Sequence, residues 1–177
     1  MPGTLAALRD DAFAGFCRLG FPPTRLEDWR FTNVSPIAET QFSVASAPGD
    51  YDKAALEALR LPALGGPELV FVNGLFEPAL STTEGLPHGV KARSLASVLA
   101  QDPDTLSPYL GRLASTENKA FTALNTAFLR DGAVVEVPAG VVVERPIHLV
   151  FVSMSSDCLL YTSDAADDTP CVDLGGR

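Results

Sequence analysis

The stretch that most constrains how this chain can fold is Asp131–Ser153, D-G-A-V-V-E-V-P-A-G-V-V-V-E-R-P-I-H-L-V-F-V-S. Three apolar runs, Ala133–Val137, Val141–Val143 and Ile147–Val152, are broken by Pro-Ala-Gly and Glu-Arg-Pro. Proline removes a ladder donor and glycine loosens the backbone, so these breaks predict tight corners between three short strands. Carried through both corners, alternation puts Ala133, Val135, Val137, Ala139, Val141, Val143, Ile147, Leu149 and Phe151 on one side, with Arg145 the exception. Glu136, Glu144 and His148 fall on the other side. An inward apolar row that turns at each corner predicts one coil of a three-sided β-solenoid. A three-strand meander with short hairpin loops is the alternative on the same pattern.

Ahead of this stretch, Leu5, Leu8, Ala12, Phe13, Phe16 and Leu19 recur at helical spacing, predicting an amphipathic helix over Thr4–Leu19 that Gly20, Pro22 and Pro23 terminate. Cys17, beside Phe13 and Phe16, reads as a small buried hydrophobe. A second helix is expected over Tyr51–Leu61, and short helices over Ser94–Gln101 and Thr105–Leu113. Ala120, Phe121, Leu124, Ala127 and Phe128 trace one face of a longer helix, with Ser115 or Thr116 as its cap and Gly132 just past its end. Between them, Leu69–Ser81 reads as a hairpin about Asn73-Gly74, because a two-residue type I′ turn needs positive φ at both positions.

The whole chain of 177 residues, 46% hydrophobic, is enough for one domain or for a small domain plus part of another. Its formal charge of -9 and the lack of any Lys/Arg cluster argue against nucleic acid as a partner. No run approaches the ~18 apolar residues of a membrane span, and Met1-Pro2-Gly3-Thr4 is not a secretory leader, so a cytoplasmic protein without a membrane is expected. Cys17, Cys158 and Cys171 contain no C-x-x-C pair, which suits a reducing compartment.

The densest segment is Arg25-Leu-Glu-Asp-Trp-Arg-Phe-Thr-Asn-Val-Ser-Pro36. Trp29 and Phe31 anchoring a structured loop, with Arg25, Glu27, Asp28 and Arg30 paired in solvent, is the simpler reading. A docking loop with Trp29 and Arg30 as anchors is the other. This segment resembles the R-x-E-x-W-[RK]-[YF]-T signature near the start of SufD, the SufB-related component of the SUF iron-sulfur cluster assembly system. Val72-Asn73-Gly74 and the residues up to Ser81 are similar to that family's V-N-G-x-[FY]-x-x-x-L-S hairpin. Ala123-Leu-Asn-Thr-Ala-Phe128 with Asp131-Gly132 is similar to the A-L-N-x-A-[FL]-x-x-D-G stretch that opens its β-helical core. Arg25, Glu27, Trp29, Asn73 and Gly74 are thus signature positions without an assigned role. SufB, the close relative, fits the Trp29 segment and the Asn-Gly hairpin less well.

The resemblance implies an α+β chain. It has an N-terminal helical or mixed domain with a β-hairpin over 1–130 and the first coil of a truncated right-handed parallel β-helix over 131–153. It further implies a non-enzymatic scaffold that pairs with SufB through β-helix edges and with the ATPase SufC through a C-terminal helical domain. The iron-sulfur cluster belongs to the assembled complex, and none of it is expected on this fragment, which alone is not expected to function. After Ser153 the pattern stops. Tyr161–Asp168 and Cys171–Arg177 resemble a translated sequencing-adapter tail, so 154–177 reads as non-native, with a natural acidic disordered end as the alternative.

Catalytic spacings are missing: there is no phosphate loop, no G-x-G-x-x-G, no G-x-S-x-G elbow and no H-E-x-x-H. His88 reads as an exposed loop residue and His148 as a rung or surface residue. Two rival readings stand beside the scaffold. A carbohydrate-active β-helix enzyme would need converging acids, for which Glu136 and Glu144 share parity. A small interaction module would need the coil to be capped. A lone coil is also expected to leave Val134–Val152 with an uncapped edge, and hence aggregated or unfolded beside a folded helical part.

Overall fold

The computed structural model describes residues 2–49, 51–59 and 65–153. It divides into two compact units, one joining the chain up to Gln41 with Asp102–Leu129, the other joining Phe42–Gln101 with the described residues from Arg130 to Ser153. The division drawn from sequence, one domain over 1–130, is therefore not the one found. The chain does change units at 130, but 42–101 packs with the segment that begins there. The region 154–177, with Cys158 and Cys171, lies outside the described residues.

The first unit is built on α1 (Pro2–Leu19), whose apolar stripe meets α5 (Ala120–Ala127). Ala12 and Ala123 are buried, small residues that let two helices approach closely. Arg9 Nε donates to the Ala127 carbonyl at 3.1 Å, occupying an acceptor that the end of α5 leaves free. Aromatic rings knit the chain after α1 to this pair: Phe16 meets Phe21 edge-on at 5.1 Å, and Phe21 meets Phe121 at 5.8 Å. A 3-10 turn at Glu27–Trp29 and a short helix α2 (Ser35–Glu39), with Pro36 in its first turn, complete the connector.

Three expectations here fail. Cys17 is exposed, on the face of α1 away from Ala12. Thr105–Leu113 forms a 3-10 turn at Pro103–Thr105 followed by further turns, with Gly111 at φ 71. Finally, α5 starts at Ala120 after Lys119, and Ser115 Oγ instead accepts from Glu117 N–H in a local turn. Ser and Thr hydroxyls offer the backbone this alternative to helix.

The second unit contains two sheets. Strands β1 (Glu68–Val72) and β2 (Leu75–Phe76) form the expected hairpin, with Asn73 at φ 50 and Gly74 at φ 79 as a type I′ turn requires. Pro78 stops β2 early, and Pro78–Leu80 is a 3-10 turn. β3 (Lys91–Ser94) leads straight into α4 (Leu95–Gln101), and α3 (Lys53–Leu59) precedes the hairpin. Strand β4 (Ala133–Glu136) pairs antiparallel with β3, and β5 (His148–Val152) pairs parallel with β1 in the register Glu68↔His148 to Val72↔Val152. Val141–Val143, expected as the middle strand, is irregular.

β1 is the centre of this unit. Leu69, Phe71 and Val72 are fully buried, each contributing ~2 kcal/mol by area. Its even face joins Val70 and Val72 to Leu56, Leu80 and Val152, and its odd face joins Leu69 and Phe71 to Ala92, Leu86, Ala133 and Ile147. The row expected to point inward is half-buried at Ala133, Val141, Val143 and Ile147, and of these Ala133 and Ile147 pack against the core. Val135, Val137, Leu149 and Phe151 are 41–49% exposed. The cause is the pairing: β5 buries the even residues that continue the Val70–Val72 face, and its odd residues sit at the margin of the sheet. Strands β4 and β5 take β3 and β1 as partners, while the outer edge of β5 pairs with no described strand.

Candidate functional site

Each candidate position takes its geometry from its own unit. Arg25 and Glu27 are exposed, and Glu27 opens the 3-10 turn that Trp29 closes. Trp29 is half-buried, its ring 5.1 Å from that of Phe121 and tilted by 36°. It therefore ties the signature segment to α5, where the anchored-loop reading expected the first helix. Arg30 lies over the ring of Phe31 at 5.5 Å, and Phe31 is 93% exposed, contrary to its expected role as a second anchor. Among the described ion pairs none joins Arg25, Glu27, Asp28 or Arg30.

In the second unit, Asn73 Nδ2 donates to the Pro48 carbonyl at 2.9 Å, so the turn residue also fastens the chain that enters the unit. The group that sequence reasoning missed is Asp131. Its Oδ1 accepts from Ser94 Oγ at 2.7 Å, Gly132 N–H at 2.8 Å and Ala96 N–H at 3.0 Å, and its Oδ2 accepts from Phe76 N–H at 3.0 Å. One carboxylate thus joins β2, the start of α4 and the start of β4. The signal was present in the Asp131-Gly132 pair, but nothing local distinguishes it from an ordinary turn.

The remaining polar groups have structural partners. Arg93 pairs with Glu136 across β3 and β4. His148 Nδ1 lies 3.9 Å from Glu68 Oε2 at the first parallel pair, the two side chains only 14% and 11% exposed, so this histidine lies inside the sheet and not on its surface. His88 is exposed in its loop, as expected. Tyr51 packs against the Val72 cluster, and this partial burial, followed by the charge of Glu77 and a hydrogen bond to it, pushes its phenol pKa up. An open depression of about 370 Å³ between α1 and α5 is lined by Ala6, Arg9, Asp10, Phe13, Ala127 and Phe128, where Phe13 and Phe128 meet edge-on at 6.3 Å. It offers one guanidinium already bonded to a carbonyl and no nucleophile. Among the described residues no group of three or more His, Cys, Asp or Glu could hold a metal ion, and no helix is long and apolar enough to cross a membrane.

Residues 1–149 match the family described as SufBD protein N-terminal region. An iron-sulfur cluster assembly SufBD family protein of Synechocystis sp. (strain ATCC 27184 / PCC 6803 / Kazusa) is 38% identical over 136 residues, covering 77% of this chain. The chain belongs to the SufB/SufD family. It spans about 30% of the length of the Synechocystis relative.

Proposed function

We propose that this chain is the N-terminal part of a SufD-type scaffold subunit. In the longer protein it precedes a right-handed parallel β-helix, pairs with a SufB-type subunit through strand edges and meets a SufC-type ATPase through a C-terminal helical domain. The protein works in the cytoplasm, catalyses no reaction itself and carries no resident cofactor on these residues. The iron-sulfur cluster is the cargo of the complex and is passed to apo-proteins.

The observation that carries this reading is the family match over 1–149, with Trp29 and the Asn73-Gly74 turn standing at the SufD signature positions. The parallel pairing of β1 with β5 is in keeping with a β-helical continuation. The carbohydrate-enzyme reading loses support, because Glu136 is committed to Arg93. Deleting the uninterrupted gene tests the proposal: the activity of iron-sulfur enzymes should fall under iron limitation and return on complementation. Unchanged activity would contradict it.

A further inference from the structure

Of the chain's four asparagines only Asn73 precedes a glycine. Gly74 has no Cβ to crowd its nitrogen, so this is the least hindered backbone nucleophile an asparagine side chain meets, and an Asn-Gly pair in an open chain loses ammonia unaided. The Gly74 nitrogen gives its proton to base and attacks Asn73 Cγ, the Cγ–Nδ2 bond breaks, and ammonia departs from a five-membered imide. Water then opens the ring. Opening at Cγ gives aspartate, and opening at the backbone carbonyl gives isoaspartate, in which the main chain runs through Cβ. Water is taken up, ammonia is released, and no oxidant or reductant takes part.

The folded turn is shaped against that attack. Ring closure needs the Gly74 nitrogen swung round the Cα–C bond until it nearly eclipses Asn73 Cβ. Asn73 at φ 50 and Gly74 at φ 79 form a type I′ turn. The first central ψ of such a turn, about 30°, puts that nitrogen almost opposite Cβ in an L-residue. The leaving group is held too. Nδ2 donates to the Pro48 carbonyl at 2.9 Å, and Gly49 lies so near that a Cβ on it would stand 3.8 Å from Nδ2. Asn73 N–H donates to the Val152 carbonyl at 2.8 Å, so swinging ψ into the reactive range also disturbs the end of β5.

The products do not fit the closed turn. Aspartate sets an oxygen against the Pro48 carbonyl where a donor stood, and two acceptors cannot bond. Isoaspartate adds a backbone atom to a two-residue turn whose length fixes the pairs Val72↔Leu75 and Phe71↔Phe76. We propose that Asn73 is a site of spontaneous deamidation which the closed hairpin holds off, so that a chain whose second unit opens is converted to a form unable to close again. Asn73 thereby records opening of this unit irreversibly, with water as the co-reactant and no enzyme. The assignment needs neither a cluster nor a partner subunit.

Peptide mapping by mass spectrometry tests it, on dilute chain held in mildly alkaline buffer with and without guanidinium chloride. Without denaturant Asn73 should deamidate at least ~10-fold more slowly than with it, and over the same time Asn33, Asn118 and Asn125 should stay intact. Gly74→Ala, read in denaturant, should slow the reaction several-fold. Modified chains are then separated from unmodified ones by their added negative charge, and both are returned to plain buffer. The Val150 amide should exchange slowly in the unmodified chains and stay fast in the modified ones. If neither re-forms the sheet, Asn73→Asp, never denatured, decides, its Val150 amide being expected to exchange ~10-fold faster than the parent's. Equal rates with and without denaturant overturn the protection, and no preference for Asn73 in denaturant overturns the site. Parent-like exchange in the modified chains, or in Asn73→Asp where that variant decides, overturns the irreversibility.

Discussion

Trp29 lies with its ring 5.1 Å from that of Phe121, a contact between the signature segment and the helix α5, 92 positions apart in sequence. The signature is thus anchored by its aromatic residue, while its charged positions Arg25 and Glu27 stay exposed. Trp29→Ala should destabilise the first unit by about 3 kcal/mol, the usual scale for removing a large packed aromatic. Phe31→Ala, at a 93% exposed position, should change stability by less than ~0.5 kcal/mol. Urea melts followed by circular dichroism check both, and equal effects would contradict the anchor.

Gly66 sits two residues before β1 at φ 140, and a Cβ there would come 2.7 Å from the Pro146 carbonyl oxygen. Backbone meets backbone at the point where the parallel pair begins, so the neighbour cannot give way as a flexible side chain would. Gly66→Ala should cost on the order of 2–3 kcal/mol and loosen β5 from β1, read as faster exchange of the Val150 amide. A stability equal to the parent would show that this approach is not needed.

Tyr51 should titrate above the ordinary tyrosine value of 10.0, because partial burial and the Glu77 carboxylate both disfavour the phenolate. The folded chain keeps this proton longer than the unfolded one. The resulting stabilisation is fully present below pH 10 and is lost as pH rises through the folded pKa. Absorbance titration of the parent against Tyr51→Phe isolates the phenol, and Glu77→Gln should move its midpoint down. A Tyr51 midpoint at or below the free value contradicts the contact.

The open β5 edge predicts self-association of the short chain at high concentration, since Leu149 and Phe151 present apolar side chains beside free edge groups. Leu149→Lys should raise the concentration at which light scattering detects oligomers by ~10-fold, a charge on an edge strand being a common block to pairing. No shift would place the sticky surface elsewhere.

Much of this structure was legible where a residue's local chemistry decides its conformation. The Asn73-Gly74 turn could be read because few other residues accept two positive φ values, and α1 because its apolar period is unbroken. The partners of the strands were not legible. Alternation over Ala133–Phe151 places residues on two faces but does not say which face meets a neighbour. β1 comes from 80 residues earlier, as Glu68 opposite His148 shows, and its pairing chooses the even side for β5. β3 itself, Lys91-Ala-Arg-Ser94, carries two charges in four residues and gives no strand signal; its place comes from Arg93 pairing with Glu136. Asp131 was visible as part of a family-like motif, but its four acceptor contacts depend on elements far apart in sequence.

The central claim is that this is the opening of a SufD-type scaffold, and co-purification measures it most directly. The product of the uninterrupted gene, expressed with SufB-type and SufC-type subunits from the same genome and carrying the only affinity tag, should bring both down through gel filtration as one complex. Elution of the tagged protein alone, with the other two assembling without it, would contradict the account.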